Sequence, residues 1–156
     1  MSGYSHTQRA PLCYLLYASA FVCFFLGFTG DSWASWLIAG GTGFIMLVFA
    51  SAFHFLTVRD RGDYLKIGFG PLPLFGRKVR YAEIAEVEIT RSSFLDGWGI
   101  HYTFSRGWIW NLWGLDCVAI RFRNGARLRI GTDDAPQLAA FLTHKIPPSQ
   151  PRHREC

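Results

Sequence analysis

The chain has 156 residues, half of them hydrophobic, which leaves room for one domain and an appendage. Its formal net charge of +5 is unevenly placed: residues 11–56 hold one charged side chain, Asp31, whereas residues 57–156 hold 15 Lys and Arg against 10 Asp and Glu. A basic region beside an apolar one favours an anionic bilayer as partner, and the lack of a helical basic stripe or zinc-finger spacing argues against nucleic acid.

Residues 11–28 and 36–56 are two uncharged apolar segments. At about 1.5 Å per residue, each reaches roughly 27 to 32 Å, which matches the hydrocarbon thickness of a bilayer. Neither has a polar face, and the rest of the chain is too short to bury both. The sequence therefore predicts a transmembrane helical hairpin over residues 11–57, with helices at about 11–29 and 35–57, after an N-terminal tail of residues 1–10.

The flanks of this hairpin predict its orientation. Gly30 and Asp31 form the expected turn, and the hairpin loop has no Lys or Arg. Arg9 precedes the first helix, and six basic residues follow the second within residues 57–80. The positive-inside rule then places both termini in the cytoplasm. A cleaved signal peptide is the other interpretation of the first segment, but no small-residue cleavage site follows it cleanly.

Small residues in the second helix predict a close helix contact at Ala39, Gly40 and Gly43. The partner is either the first helix, which offers small residues at 18–20, or a second copy of the chain; we favour the first. His54 has no acidic partner within the segments, so we interpret it as an interfacial histidine rather than as part of a proton relay.

After the second helix the pattern changes to alternation and turns, which predicts a β-domain over residues 58–146. Glu86 and Glu88 alternate with Val87 and Ile89, as expected for a strand with one apolar face. The segment 70–76, with two prolines, is a predicted loop. Predicted strands lie at residues 64–69, 77–81, 85–91, 99–104 and 108–113.

Residues 116–132 form the clearest hairpin. A two-residue loop would place apolar and charged side chains on one face, whereas a three-residue loop with Gly125 in the left-handed conformation pairs Ile120 with Leu128 and keeps the apolar side chains together. The opposite face collects Arg121, Arg123, Arg127 and Arg129, with Arg121 expected opposite Arg129 and Arg123 opposite Arg127. Either neighbouring acids such as Glu86 and Glu88, or an anionic partner, must offset this charge.

Residues 131–146 predict one amphipathic helix, because Leu138, Phe141 and Leu142 form an apolar stripe behind acidic residues and Pro136. The polar, proline-rich residues 147–156 are expected to be disordered.

The segments "VRYAEIAEVEI", "GWGI" and "GWIWNLWGLDCVAIRFRNGARLRIGTDD", together with the two apolar helices, resemble small bacterial pleckstrin-homology-domain proteins anchored by two transmembrane helices. The resemblance implies an α+β membrane protein of the bacterial inner membrane. Its fold would be the helical hairpin followed by a pleckstrin-homology-like antiparallel split barrel with one C-terminal helix. It implies no catalytic residues.

Within that resemblance, Lys66, Lys78 and Arg80 match the loose basic pattern of phosphoinositide-binding domains. General attraction to anionic lipid, at about 1 kcal/mol per basic residue, is the expectation here. Four tryptophans lie at positions 98, 108, 110 and 113. We expect them to fill the domain core and rim; contact with the membrane interface and a ligand cage are the alternatives.

No motif supports catalysis or cofactor binding. Asp133 and Asp134 are explained by the helix start, and the four cysteines contain no CxxC pair, so we expect neither a metal site nor an enzyme. We expect a membrane-anchored, non-enzymatic interaction module that presents a binding surface to a protein partner at the cytoplasmic face. The alternatives are an anionic-lipid sensor using the arginine face, and an accessory subunit of a membrane complex that uses the small-residue helix face.

Overall fold

The structure is a computed structural model that describes residues 3–71, 75–92, 99–104 and 107–146. Trp98 and the expected disordered tail, residues 147–156, lie outside the described residues. The elements, in chain order, are β1 (Ser5–Arg9), α1 (Leu12–Thr29), α2 (Trp33–Ala52), β2 (Phe55–Asp60), β3 (Tyr64–Phe69), β4 (Phe75–Arg80), a 3₁₀ turn (Tyr81–Glu83), β5 (Ile84–Arg91), β6 (Gly99–Thr103), β7 (Gly107–Asn111), β8 (Asp116–Phe122), β9 (Arg127–Gly131) and α3 (Ala135–Lys145).

The two N-terminal helices have 18 and 20 residues, and both are long and apolar enough to cross a membrane. A short turn joins them, because Gly30 follows the last residue of α1 and Ser32 caps α2. The Ser32 side chain accepts a hydrogen bond from the backbone N–H of Ser35 at 3.1 Å. Large apolar side chains on both helices are exposed, among them Phe21, Phe28 and Ile38.

Small residues let α1 and α2 approach closely. A Cβ atom placed on Gly43 would lie 3.1 Å from the carbonyl oxygen of Ala20 and 3.2 Å from the Cβ of Cys23. One placed on Gly27 would lie 3.4 Å from the backbone nitrogen of Gly40 and from the Cβ of Ala39. Ala39 and Gly43 of the predicted contact thus face α1 of the same chain, with Gly27 as a partner that the sequence reasoning did not name. The predicted Gly40 approaches Gly27 with its backbone nitrogen, but a Cβ on Gly40 would meet no atom within 4 Å.

Replacement of Gly43 by Leu is expected to weaken this helix pair by about 1–3 kcal/mol, because the new side chain has no space against α1. The matched control is Gly41→Leu on the same helix, where a Cβ meets no atom within 4 Å. Titration of the detergent-solubilised chain with SDS, followed by circular dichroism, measures the difference. Equal transitions for the two variants would contradict the described packing.

The ends of the helix pair differ from the prediction. Residues 5–9, expected in a tail, form β1, and α2 ends at Ala52 rather than near residue 57. β1 pairs with β2: the backbone N–H of Ala10 donates to the carbonyl of His54 at 3.3 Å, and the hydroxyls of Thr7 and Thr57 lie 3.1 Å apart. The apolar run of α2 continues into β2, and periodicity alone does not separate a helix from a short buried strand.

The described strands form two sheets, in the orders β1-β2-β3-β4 and β5-β8-β9-β7-β6. Within the described residues these sheets do not close into the predicted barrel. The second sheet is also mixed rather than antiparallel, since β7 and β9 pair in parallel. This pairing arises because β8 occupies one edge of β9, and hairpin β6–β7 covers the other edge and satisfies its backbone groups.

The β8–β9 hairpin has the predicted bulged loop. Ile120 pairs with Leu128 and Val118 with Ile130, and Gly125 has a φ of +85°. The predicted arginine pairs were wrong, however. The register that aligns Ile120 with Leu128 places Arg121 opposite Arg127 and Arg129 opposite Ala119. In an antiparallel pair, each step forward along one strand is a step back along the other.

α3 packs on β5 and β8. Leu138 and Leu142 are fully buried there, whereas Phe141, the third residue of the predicted stripe, is half-buried. By its internal contacts the chain divides into two compact units, of which one holds Thr7–Thr57 and Ile67–Arg77 and the other holds the remaining described residues. The candidate surface described next lies within the second of these units.

Candidate interaction surface

A shallow groove of about 240 Å³ lies on the polar face of the five-stranded sheet, and we call it the charged groove. Glu86 and Glu88 of β5 form one side, and Arg121 of β8 and Arg127 of β9 form the other, with Ala119 between them. Strand alternation positions these residues, because each is one residue away from an apolar neighbour that faces the opposite side. The groove therefore has an acidic wall and a basic wall.

The two walls are joined by an ion pair between Arg121 and Glu86, which are Cα partners across β5 and β8. Their side chains are 56% and 58% exposed. A pair this exposed contributes at most about 1 kcal/mol to stability. It does offset the like charges of Arg121 and Arg127, which face each other across β8 and β9.

The other two arginines of the predicted face have different environments. Arg123 is exposed beside the β8–β9 turn, and its backbone N–H donates to the carbonyl of Glu83 at 2.9 Å. Arg129 is half-buried on β9, and Ile109 is its partner in the parallel ladder. The charged groove thus uses two of the four predicted arginines.

Lys66, Lys78 and Arg80 lie in the four-stranded sheet and not in the charged groove. The ammonium of Lys78 lies 5.3 Å from the ring centroid of Tyr64, and Arg80 pairs with Glu83 at 3.5 Å. Lys66 is exposed on β3. These three residues, which match the loose inositide-binding pattern, are therefore on a different sheet from the arginines of the charged groove.

The sequence reasoning missed a buried polar network centred on Asp60. The Asp60 carboxylate is 8% exposed and lies 3.3 Å from the ammonium of Lys145. It accepts a hydrogen bond from the hydroxyl of Tyr81 and one from the backbone N–H of Gly62, both at 2.8 Å. Burial alone would raise the pKa of Asp60, but these hydrogen bonds and the charge of Lys145 hold that pKa below its ordinary value.

The N-terminal segment contributes a second polar cluster near the start of α3. The hydroxyl of Tyr4 donates to Asp134 at 3.3 Å, and the His6 ring lies within hydrogen-bond distance of Asp133. Burial and the Asp134 carboxylate raise the pKa of Tyr4 above its ordinary value. The Tyr4 ring also stacks on Phe141, with centroids 5.4 Å apart. These contacts join residues that lie more than 120 positions apart in the sequence.

His54 contacts a cysteine and a tyrosine of α1. Its Nδ1 lies 3.7 Å from the Cys13 sulfur and 3.4 Å from the Tyr17 hydroxyl. Cys13 is buried, and its thiol donates to the carbonyl of Ala10 at 2.9 Å. We interpret this cluster as a structural contact that holds the start of α1 against the segment that follows α2. Within the described ranges, no three His, Cys, Asp or Glu side chains group as a metal site would require.

The tryptophans do not share one environment. Trp110 is 7% exposed and agrees with the core interpretation, whereas Trp108, two residues earlier on the same face of β7, is 42% exposed. Trp108 contacts Tyr102 of β6, with ring centroids 5.5 Å apart, and Tyr102 contacts Phe104 at 5.9 Å. We call Tyr102, Phe104 and Trp108 the aromatic hairpin end.

A comparison of the sequence with models of protein families finds no match. No curated protein matches it either.

Proposed function

We propose that the chain is a membrane-anchored, non-enzymatic interaction module with a pleckstrin-homology-like domain. The charged groove is its binding surface, and a protein at the cytoplasmic face of a bacterial inner membrane is its partner. The observation that carries this proposal is the pair of opposite-charge walls on one exposed sheet face. A mixed-charge surface selects partners by charge complementarity and contributes little to the stability of the module itself.

The order of strands supports the pleckstrin-homology-like fold. The chain runs through four neighbouring strands, β1 to β4, and the antiparallel set β5-β8-β9 then ends in α3. The helix pair is inserted between β1 and β2, and hairpin β6–β7 is inserted between β5 and β8. Without these two insertions, short strands followed by one amphipathic helix remain, which is the arrangement that the family resemblance implies.

The helix pair supports membrane anchorage. Exposed phenylalanine and leucine side chains lie on both helices, together with tryptophan and isoleucine on α2, and water is an unfavourable environment for such apolar surfaces. β1 precedes α1, β2 follows α2, and the two strands pair directly, so the start of α1 and the end of α2 lie close together. A spanning hairpin of this form would keep the N-terminal strand and the β-domain on one side of the membrane, as the basic flanks predict.

The composition of the groove favours a protein partner over a lipid headgroup. Glu86 and Glu88 line the same groove as the two arginines, and Arg121 is paired with Glu86. A basic surface without acidic neighbours attracts anionic lipid by about 1 kcal/mol per basic residue. In the charged groove the carboxylates would repel an anionic headgroup, so the attraction would be smaller. A protein segment that carries both charges can pair with both walls.

The accessory-subunit alternative loses its expected contact, because the face that contains Ala39 and Gly43 packs against α1. A subunit interface on α2 would require another face, such as the side of Gly41, where a Cβ would meet no atom within 4 Å.

Site-specific photocrosslinking in native membranes tests the proposal. With a photoreactive residue at Ala119, we expect a protein adduct of discrete mass. Arg121→Glu is expected to reduce its yield more than about tenfold, equivalent to 1.4 kcal/mol. The double variant Arg121→Glu with Glu86→Arg restores the ion pair but leaves each wall with one acidic and one basic residue, so the yield should stay low. Asn124, exposed in the β8–β9 turn, is the control position.

Recovery of the adduct in the double variant would show that the ion pair is structural and would contradict the proposed binding surface. Crosslinking to phospholipid in place of protein, lost at high salt, would support the lipid-sensing alternative.

A further inference from the structure

The aromatic hairpin end is the largest exposed aromatic group of the described β-domain. Phe104 is 99% exposed and Tyr102 is 56% exposed, and both contact neighbouring rings of the same hairpin. Single exposed apolar residues are ordinary in proteins, but a contiguous cluster of three aromatic rings marks a contact surface.

Core packing does not account for these three rings. Ile109 and Trp110 follow Trp108 on β7 and point to opposite faces, yet both are buried, so both faces of β7 are covered from that point. Trp108 precedes Ile109 and lies just outside this covered part of β7. The hairpin therefore projects its aromatic end out of the packed part of the domain.

The chemistry of the aromatic hairpin end matches the interface of a bilayer. Trp and Tyr are the side chains enriched at the headgroup level, because each combines an apolar ring with one polar group. The exposed Arg127 adjoins this end, since a Cβ on Gly107 would lie 2.8 Å from the Cβ of Arg127. Residues 57–156 carry 15 Lys and Arg against 10 Asp and Glu, which complements an anionic leaflet.

We propose that Tyr102, Phe104 and Trp108 insert into the headgroup region of an anionic bilayer and orient the domain on the membrane. This inference rests on the proposed insertion of α1 and α2, which holds the domain beside a bilayer. It assigns lipid contact to the aromatic hairpin end, places Arg127 at the border between this end and the charged groove, and leaves the other groove residues for the protein partner.

Depth-dependent fluorescence quenching tests the inference on the full chain in nanodiscs of phosphatidylcholine and phosphatidylglycerol. An environment-sensitive label is attached through Phe104→Cys in a background whose four native cysteines are replaced by alanine. Two further labels serve as controls. Asn124→Cys reports an exposed turn of the same domain, and Ile45→Cys reports an exposed position of α2.

The expected result is several-fold stronger quenching by spin-labelled lipid at position 104 than at position 124, and weaker quenching by iodide. Strong lipid quenching at position 45 alone overturns lipid contact by the aromatic hairpin end and leaves the anchor intact. Lipid quenching at neither 45 nor 104 overturns the anchor as well. If iodide quenches position 104 as strongly as position 124, the rings are free for a protein instead, and the inference is wrong.

Discussion

Replacement of Asp60 by alanine is expected to lower the free energy of unfolding by about 3 kcal/mol. The Asp60 carboxylate is 8% exposed and accepts hydrogen bonds from the Tyr81 hydroxyl and the Gly62 N–H. Its removal leaves the Lys145 ammonium and the Tyr81 hydroxyl without their buried partner, and an uncompensated buried group is costly. Guanidinium unfolding in a mild detergent, followed by tryptophan fluorescence, measures the loss.

Two companion variants separate the contributions. Asp60→Asn keeps an oxygen that can accept from Tyr81 and Gly62 but removes the charge, so a smaller loss of about 1 kcal/mol is expected. Asp63→Ala removes an exposed carboxylate three residues away, and a change below about 0.5 kcal/mol is expected. Equal losses for Asp60→Ala and Asp63→Ala would show that the network does not stabilise the domain.

The same carboxylate predicts a pH dependence. Its pKa is lowered in the folded chain, so its stabilising contribution is fully present above the unfolded pKa of about 3.9 and is lost as the pH falls through the folded pKa. The difference in unfolding free energy between the wild type and Asp60→Ala should therefore be constant from about pH 7 to 5 and shrink below about pH 4.

The parts of the fold that the sequence predicts well are determined by local chemistry. Uncharged length predicts the helix pair, and the parity of apolar residues around Gly125 predicts the bulged β8–β9 loop. The same parity contradicts the arginine pairs expected on the other face, since Arg121 faces Arg127. Once Ile120 faces Leu128, one step forward on β8 and one step back on β9 bring Arg121 opposite Arg127. The correct register could therefore have been derived from the sequence.

The parts that could not be predicted depend on distant partners. The polar segment of β1 has no strand pattern of its own, and its backbone is satisfied only because β2 lies beside it. The parallel pairing of β7 with β9 likewise joins strands whose sequences carry no mark of direction. Asp60, Tyr81 and Lys145 are far apart in sequence, so no spacing rule relates them.

The candidate site was predicted in part. Alternation placed Glu86 and Glu88 on a polar face near the arginines, and the structure pairs Arg121 with Glu86. The exposure of the aromatic hairpin end could not be predicted, because Trp108 and Trp110 belong to the same strand pattern and differ only in what covers them. Which residues of a strand are covered depends on how the whole domain packs, and a local sequence pattern does not carry that information.

Replacement of Gly131 by alanine is the second change with a large expected effect, a loss of about 3 kcal/mol. Gly131 ends β9 beside Asn111, the last residue of β7, in the parallel part of the sheet. A Cβ on Gly131 would overlap the Asn111 side-chain oxygen and lie 2.7 Å from its Cγ and 2.9 Å from its Cα. Asn111 is 2% exposed and donates to the carbonyl of Gly114 at 3.0 Å, so it has no free direction in which to move.

A double-mutant cycle tests whether this contact is the cause. In an Asn111→Ala background the clash with the side-chain amide is gone, so Gly131→Ala should cost at least about 1 kcal/mol less than in the wild type. Some cost remains, because the Cα of residue 111 is still close. The control is Gly68→Ala within β3, where the nearest atom to a new Cβ is the Phe75 carbonyl oxygen at 4.0 Å and little change is expected. Additive losses in the cycle would mean that β7 and β9 do not approach each other at Gly131, and would contradict the parallel pairing of these two strands.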